Sequence, residues 1–215
     1  MQLFMCVMLS ALAPVSLWAA GGGSTPSTSS GDLGANLAPG KSAEALYNDG
    51  VKRVTQADAL VAAGKDARRQ YTAALEKFEA AVDQNPNMHE AWNYIGYCRR
   101  QLGRYEDALG AYDEALRLAP DYAPAIEYRG QTFLGLGRIE DAKQAYLALF
   151  ARDRALAGKL LASIKAWTSA PNGGGKLDPA AAQALRGWVA ERERIATQTA
   201  ALGRPGSAAG WTRGE

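Results

Sequence analysis

Chemistry in this chain would have to be built from few parts. His89 is the sole histidine among 215 residues, and the cysteines are Cys6 and Cys98. A zinc-type centre needs three or four histidine and cysteine donors, so a His-Cys metal site is excluded within one chain. His89 and Glu90 adjoin at a helix start, where neighbouring side chains diverge, and they read as a surface first-turn pair. A serine nucleophile would have to use His89 as its base, and no Gly-x-Ser-x-Gly elbow is present. The glycine runs at 21–23 and 173–175 lack the strand-to-helix context and the Lys-Ser or Lys-Thr partner of a phosphate loop. The carboxylate pairs Glu106-Asp107 and Glu140-Asp141 fall in first helical turns, where they complement the helix dipole. Cys98 lies beside Arg99 and Arg100, which would lower its pKa if it were exposed; packing as a small apolar group is the favoured reading. The expectation is a non-enzyme with no catalytic residues, no metal and no cofactor.

Charge narrows the partners. Lysine and arginine number 24 against 22 acidic residues, a net of +2. Such a balance leaves no basic excess to neutralise several phosphates, so nucleic acid is not an expected partner.

The elements that would position a binding surface follow from periodicity. Residues 1–20, "MQLFMCVMLSALAPVSLWAA", carry no charge and end in small residues, as a secretory signal does. Cleavage after Ala19 or Ala20 and export to the periplasm or beyond are expected; the alternative is a membrane anchor over 3–20. Met5 is too bulky before Cys6 for a lipid-attachment signal. Residues 21–40 are Gly, Ser, Thr and Pro with few bulky apolar groups. They read as a flexible linker with a root-mean-square span of about 25 Å.

From there the sequence repeats at a constant step: Ala74, Ala108 and Ala142; Phe78, Tyr112 and Tyr146; Tyr71, Tyr105 and Ile139; Gly96 and Gly130; Pro86 and Pro120. Gly96 and Ala108 are small so that two antiparallel helices can cross closely. Tyr112 and Trp92 fill the volume beside that crossing. Gly103 and Gly137 end the first helix of each pair, and Pro86 and Pro120 stop the second. The first copy carries a twelve-residue insertion, aligning Gly50 with Gly96, which predicts longer helices on either side of Gly64. The copies span 43–88, 89–122 and 123–154, together the 41–154 region. A helix over 155–169 covers the exposed end of the third copy. A loop over 170–177 follows. Asp178-Pro179 then starts an amphipathic helix over 178–202, and 203–215 is tail.

The 34-residue step, with Trp92, Ile95, Gly96, Ala108, Tyr112 and Pro120 in register, resembles the tetratricopeptide repeat family. The middle copy departs at Arg99, where an aromatic is usual. The third has Phe133 there but Arg154 in place of the closing proline. The resemblance covers about residues 43–154. It implies an all-α, right-handed helical-hairpin solenoid of about three repeats with C-terminal capping helices. It further implies a concave groove that binds a peptide segment or helix of another protein. Carried onto this chain, the groove register selects Glu44, Tyr47, Val51, Glu90, Asn93, Tyr97, Arg100, Glu127 and Gln131. The Lys- and Asn-rich clamp of the chaperone-binding members is absent, because Tyr47, Val51, Tyr94, Pro124 and Tyr128 occupy its positions. The expected role is a non-catalytic interaction module or scaffold of the cell envelope. The alternative is a structural or regulatory subunit that associates, with itself or in a complex, through the C-terminal helix or the lengthened first hairpin.

Overall fold

The computed structural model describes residues 41–171 and 173–202; the expected signal, linker and tail at 1–20, 21–40 and 203–215 lie outside them. The described residues form eight α-helices: α1 Ala43–Ala62, α2 Arg68–Gln84, α3 His89–Gln101, α4 Tyr105–Leu118, α5 Ala123–Gly135, α6 Ile139–Arg152, α7 Arg154–Thr168 and α8 Pro179–Leu202. None of these is long and apolar enough to cross a membrane.

Local chemistry sets the ends. The Ser42 hydroxyl accepts the Ala45 amide at 3.2 Å, and Asp178 Oδ1 accepts those of Ala180 and Ala181 at 3.0 and 2.9 Å. Each bond satisfies an amide that a helix start leaves free. The φ angles of Gly103 and Gly137 are 79 and 73 degrees. That left-handed turn lets the second helix fold back on the first. The junction at Arg154 dispenses with proline. Asp153 ends α6 with an extended backbone and then caps α7 by accepting the Leu156 amide at 2.9 Å.

Helices pair as α1 with α2, α3 with α4 and α5 with α6, and each hairpin stacks on the next. The insertion goes mostly into α1, which has 20 residues against 13 in α3; α2 has 17 against 14 in α4. A Cβ on Gly50 would come within 2.6 Å of the Phe78 ring, and one on Gly96 within 2.6 Å of the Tyr112 ring. The glycines are therefore the slots into which the second helix's aromatic slides. The Trp92 indole donates to the Pro86 carbonyl at 2.9 Å and ties the second hairpin to the end of the first.

The first helices α1, α3, α5 and α7 touch in series, whereas the second helices make no comparable contact with one another. Inner helices that touch and outer helices that splay give a stack curved toward α1, α3 and α5. α8 lies across the far end. Its Leu185 and Val189 join one apolar cluster with Leu160, Ile164 and Trp167, and Trp188 meets the Tyr146 ring edge-on at 5.4 Å.

Candidate functional site

The inner face of the stack carries tyrosines from three helices. Tyr47 of α1 meets Tyr94 of α3 edge-on at 5.8 Å, Tyr94 meets Tyr97 at 6.4 Å, and Tyr97 meets Tyr128 of α5 at 5.1 Å. Residues 90, 93, 94, 97 and 101 share one face of α3 by their helical spacing. Tyr94 is anchored from behind by stacking on Phe78 at 4.9 Å, so the ladder rests on the hairpin core.

The structure divides the nine residues that the groove register selects. Glu44 is exposed, and Tyr47, Val51, Glu90, Arg100 and Gln131 are partly exposed. Asn93 and Glu127 retain only 2% exposure and Tyr97 9%. These three lie under the groove surface, where the neighbouring helices close over them, and would reach a ligand only if covering side chains moved. The expectation of nine surface contacts is corrected to six accessible residues above three buried ones.

The buried set has its own bonding. The Tyr97 and Tyr71 hydroxyls both donate to Asp58 Oδ1, at 2.8 and 2.6 Å, and the Gln101 amide donates to the Tyr97 oxygen at 3.0 Å. Asp58 belongs to the lengthened part of α1, so the insertion reaches over and clamps the top of α3. Burial above all, with the field of Asp58 added, raises the Tyr97 hydroxyl far above its ordinary value, so it stays a donor. The Arg100 guanidinium lies 5.3 Å from the Tyr97 ring centre and 5.7 Å from that of Tyr128. Both distances are within cation–π range. Glu127 accepts from the Gln131 amide. Burial raises its carboxyl above the usual glutamate value, against the opposing pull of Arg100, the Gln131 bond and Lys159. Asn93 Oδ1 is buried and has no hydrogen-bond partner among the described residues.

Register reasoning alone misses Asp58, Tyr94, Tyr122 and Tyr128 as groove residues. Tyr94 and Tyr128 are legible as positions where a clamp residue is missing; Asp58 sits in the insertion and has no counterpart in the other copies. Cys98 is fully buried, and desolvation raises its thiol far above the ordinary range, in keeping with a packing role. The His89 ring meets Tyr122 edge-on at 4.7 Å at the groove edge, and its Nδ1 lies 3.2 Å from Glu90, so these two first-turn side chains meet instead of diverging as expected. A second concavity of about 460 Å³ opens between α6, α7 and α8, lined by Phe150, Leu161 and Ala196 with Arg154 at its side.

A tetratricopeptide repeat family model matches residues 54–123, in agreement with this architecture. No curated protein matches the chain in sequence. Similar solved structures include the first tetratricopeptide domain of Spaghetti (RPAP3) bound to the HSP90 peptide SRMEEVD. It is 20% identical, with a TM-score of 0.47, over 59% of this chain and 94% of that one. Another is the CopN-Scc3 complex, 18% identical with a TM-score of 0.46, over 55% of this chain and 66% of that one. With a matched repeat at its centre, a 34-residue step in its sequence and three stacked helix pairs, this chain carries a tetratricopeptide-repeat solenoid.

Proposed function

We propose that the chain is a non-catalytic protein-interaction module that holds an extended segment or a helix of another protein along the face of α1, α3 and α5. One observation carries this reading. α8 packs on α7 and against Tyr146 of α6, so no described element covers the tyrosine ladder, and Tyr47, Tyr94 and Tyr128 remain partly exposed on a surface already shaped by the hairpins. A rigid, pre-formed aromatic surface loses little conformational entropy on binding, which is why tyrosine recurs at interaction hot spots. The repeat matched over residues 54–123 supports the reading as an analogy of fold. The uncharged, apolar stretch of residues 1–20 supports a place outside the cytoplasm, in the cell envelope.

Photo-crosslinking in the native cell tests the groove. A benzophenone side chain at Val51, in the groove, is expected to capture a partner protein. The same group at Asp113, exposed on the outer helix α4, is expected to capture none. Capture from Asp113 alone, or from neither site, overturns the reading.

The cleft beside α8 favours a second reading, a subunit that associates through α8. Loss of a partner or of self-association on deleting residues 176–215, with the Val51 crosslink silent, would support it instead.

A further inference from the structure

The tyrosine ladder is used differently at its two ends. At the α3–α5 end it already holds a cation, because Arg100 lies over Tyr97 and Tyr128. At the α1–α3 end the same arrangement recurs with no cation. Tyr47 and Tyr94 stand edge-to-face, and among the described residues no arginine or lysine lies over either ring or over Tyr122. The hydroxyls of these three tyrosines have no hydrogen-bond partner among the described residues.

Two carboxylates, Glu44 and Glu90, flank this end, and the basic groups nearest to them in sequence are His89 and Lys41, the latter paired with Asp49. Glu44 is exposed on the first turn of α1, and Glu90 opens α3 with 43% of its side chain exposed; only neighbouring His89, 3.2 Å away, approaches it. The Tyr47 hydroxyl is raised above its ordinary range by burial, then by Tyr94, Tyr122 and Glu90. Tyr122 is pushed up to about 12 by burial, then by Glu90 and Tyr94. Every group felt by either hydroxyl disfavours more negative charge. Rings present their negative faces to a cation, and carboxylates beside them add an attraction that grows as water is excluded.

We propose that the α1–α3 end of the groove takes a cationic side chain, an arginine or lysine, from an extended segment of another protein. The cation lies against Tyr47 and Tyr94 and is paired by Glu90, with Glu44 at the entrance, repeating from outside what Arg100 does from within. This rests on the groove reading above and names the chemistry of its partner. The chain's own residues 1–40 contain no lysine or arginine and cannot supply the group. The segment 203–215 contains Arg204 and Arg213 and is the internal competitor to be eliminated.

The test selects peptides from a random display library on the full chain carrying a photo-crosslinker at Val51. Affinities are then compared for each selected peptide and for its copy with arginine replaced by citrulline or lysine by norleucine. Peptides that crosslink at Val51 are expected to carry arginine or lysine and to lose about tenfold in affinity when that charge is removed. Glu90→Gln together with Glu44→Gln, both at accessible positions outside the core, should weaken the charged peptide severalfold and leave the neutral one unchanged. Tyr94→Leu, scored only if its thermal unfolding matches the parent, should abolish the charge preference. Peptides that crosslink at Val51 without charge dependence overturn this proposal and leave the groove reading standing. Binding without the Val51 crosslink, or no selected peptide, overturns both. Peptide binding that appears only after deletion of 203–215 makes the tail the occupant and overturns the external partner.

Discussion

The second and third hairpins are written in nearly the same residues and packed differently. In the second, Gly96 faces the ring of Tyr112, its own hairpin's aromatic. In the third, Gly130 sits at the equivalent position, one period on, yet a Cβ there would meet Leu160 of α7 at 2.6 Å. Tyr146, the counterpart of Tyr112, turns instead to Phe150 and to Trp188 of α8. The second hairpin fills its own slot; the third borrows α7 to fill it and lends its aromatic to α8. A terminal repeat has no following hairpin to bury its outer surface, and the two extra helices provide that cover.

Deletions and substitutions at these contacts separate the two hairpins. Removing residues 154–215 strips Leu160, Leu161 and Ile164 from the third hairpin at once. It should cost the third hairpin its cooperative unfolding while the first two keep theirs, seen as loss of amide-exchange protection confined to α5 and α6. Tyr112 fills a fully buried slot. Tyr112→Ala empties it and should destabilise by about 3–5 kcal/mol in chemical denaturation. Gly96→Ala drives a methyl into a rigid ring and should cost about 3 kcal/mol. Gly130→Ala meets the movable end of a leucine and should cost about 1 kcal/mol. Equal costs for the two glycines would mean that the third hairpin is packed like the second after all.

Tyr97→Phe removes the hydroxyl that donates to Asp58 while leaving the ring contacts with Tyr128 and Arg100. Loss of that charge-assisted bond should cost about 1.5 kcal/mol. It is the informative variant at that position, since alanine would also empty packed volume. The smallest effect is a pH slope from Glu127. Its folded pKa is raised, so the native chain holds this proton to higher pH than the unfolded chain does. Stability therefore falls as pH rises from the ordinary glutamate value through the raised one, and the loss is complete above it. Glu127→Gln should flatten that part of the pH–stability profile measured by thermal unfolding.

Much of this is legible in the sequence. The 34-residue step locates the hairpins, because Gly96, Ala108 and Tyr112 can be spaced that way only if two helices cross there. Asp178-Pro179 marks a helix start by its own local chemistry. The groove register of Asn93, Tyr97 and Glu127 is readable, but their depth is not. Depth depends on how steeply one hairpin leans on the next, and that angle is set by contacts spread over both. The Asp58–Tyr97 bond joins residues 39 apart through an insertion present in one copy only, so no internal repeat announces it. The partner of Gly130 is hidden for a related reason: a repeat pattern carries no information about the helices beyond its last copy.

Cys98 gives the molecule a built-in clock. Its thiol is enclosed between the first two hairpins and is held in the unreactive protonated form. A thiol reagent can modify it only when those hairpins part, so in a Cys6→Ser chain the labelling rate counts openings of that one interface. Slowing of that rate by a bound peptide would report occupancy of the groove from behind, through the wall on which the tyrosines stand.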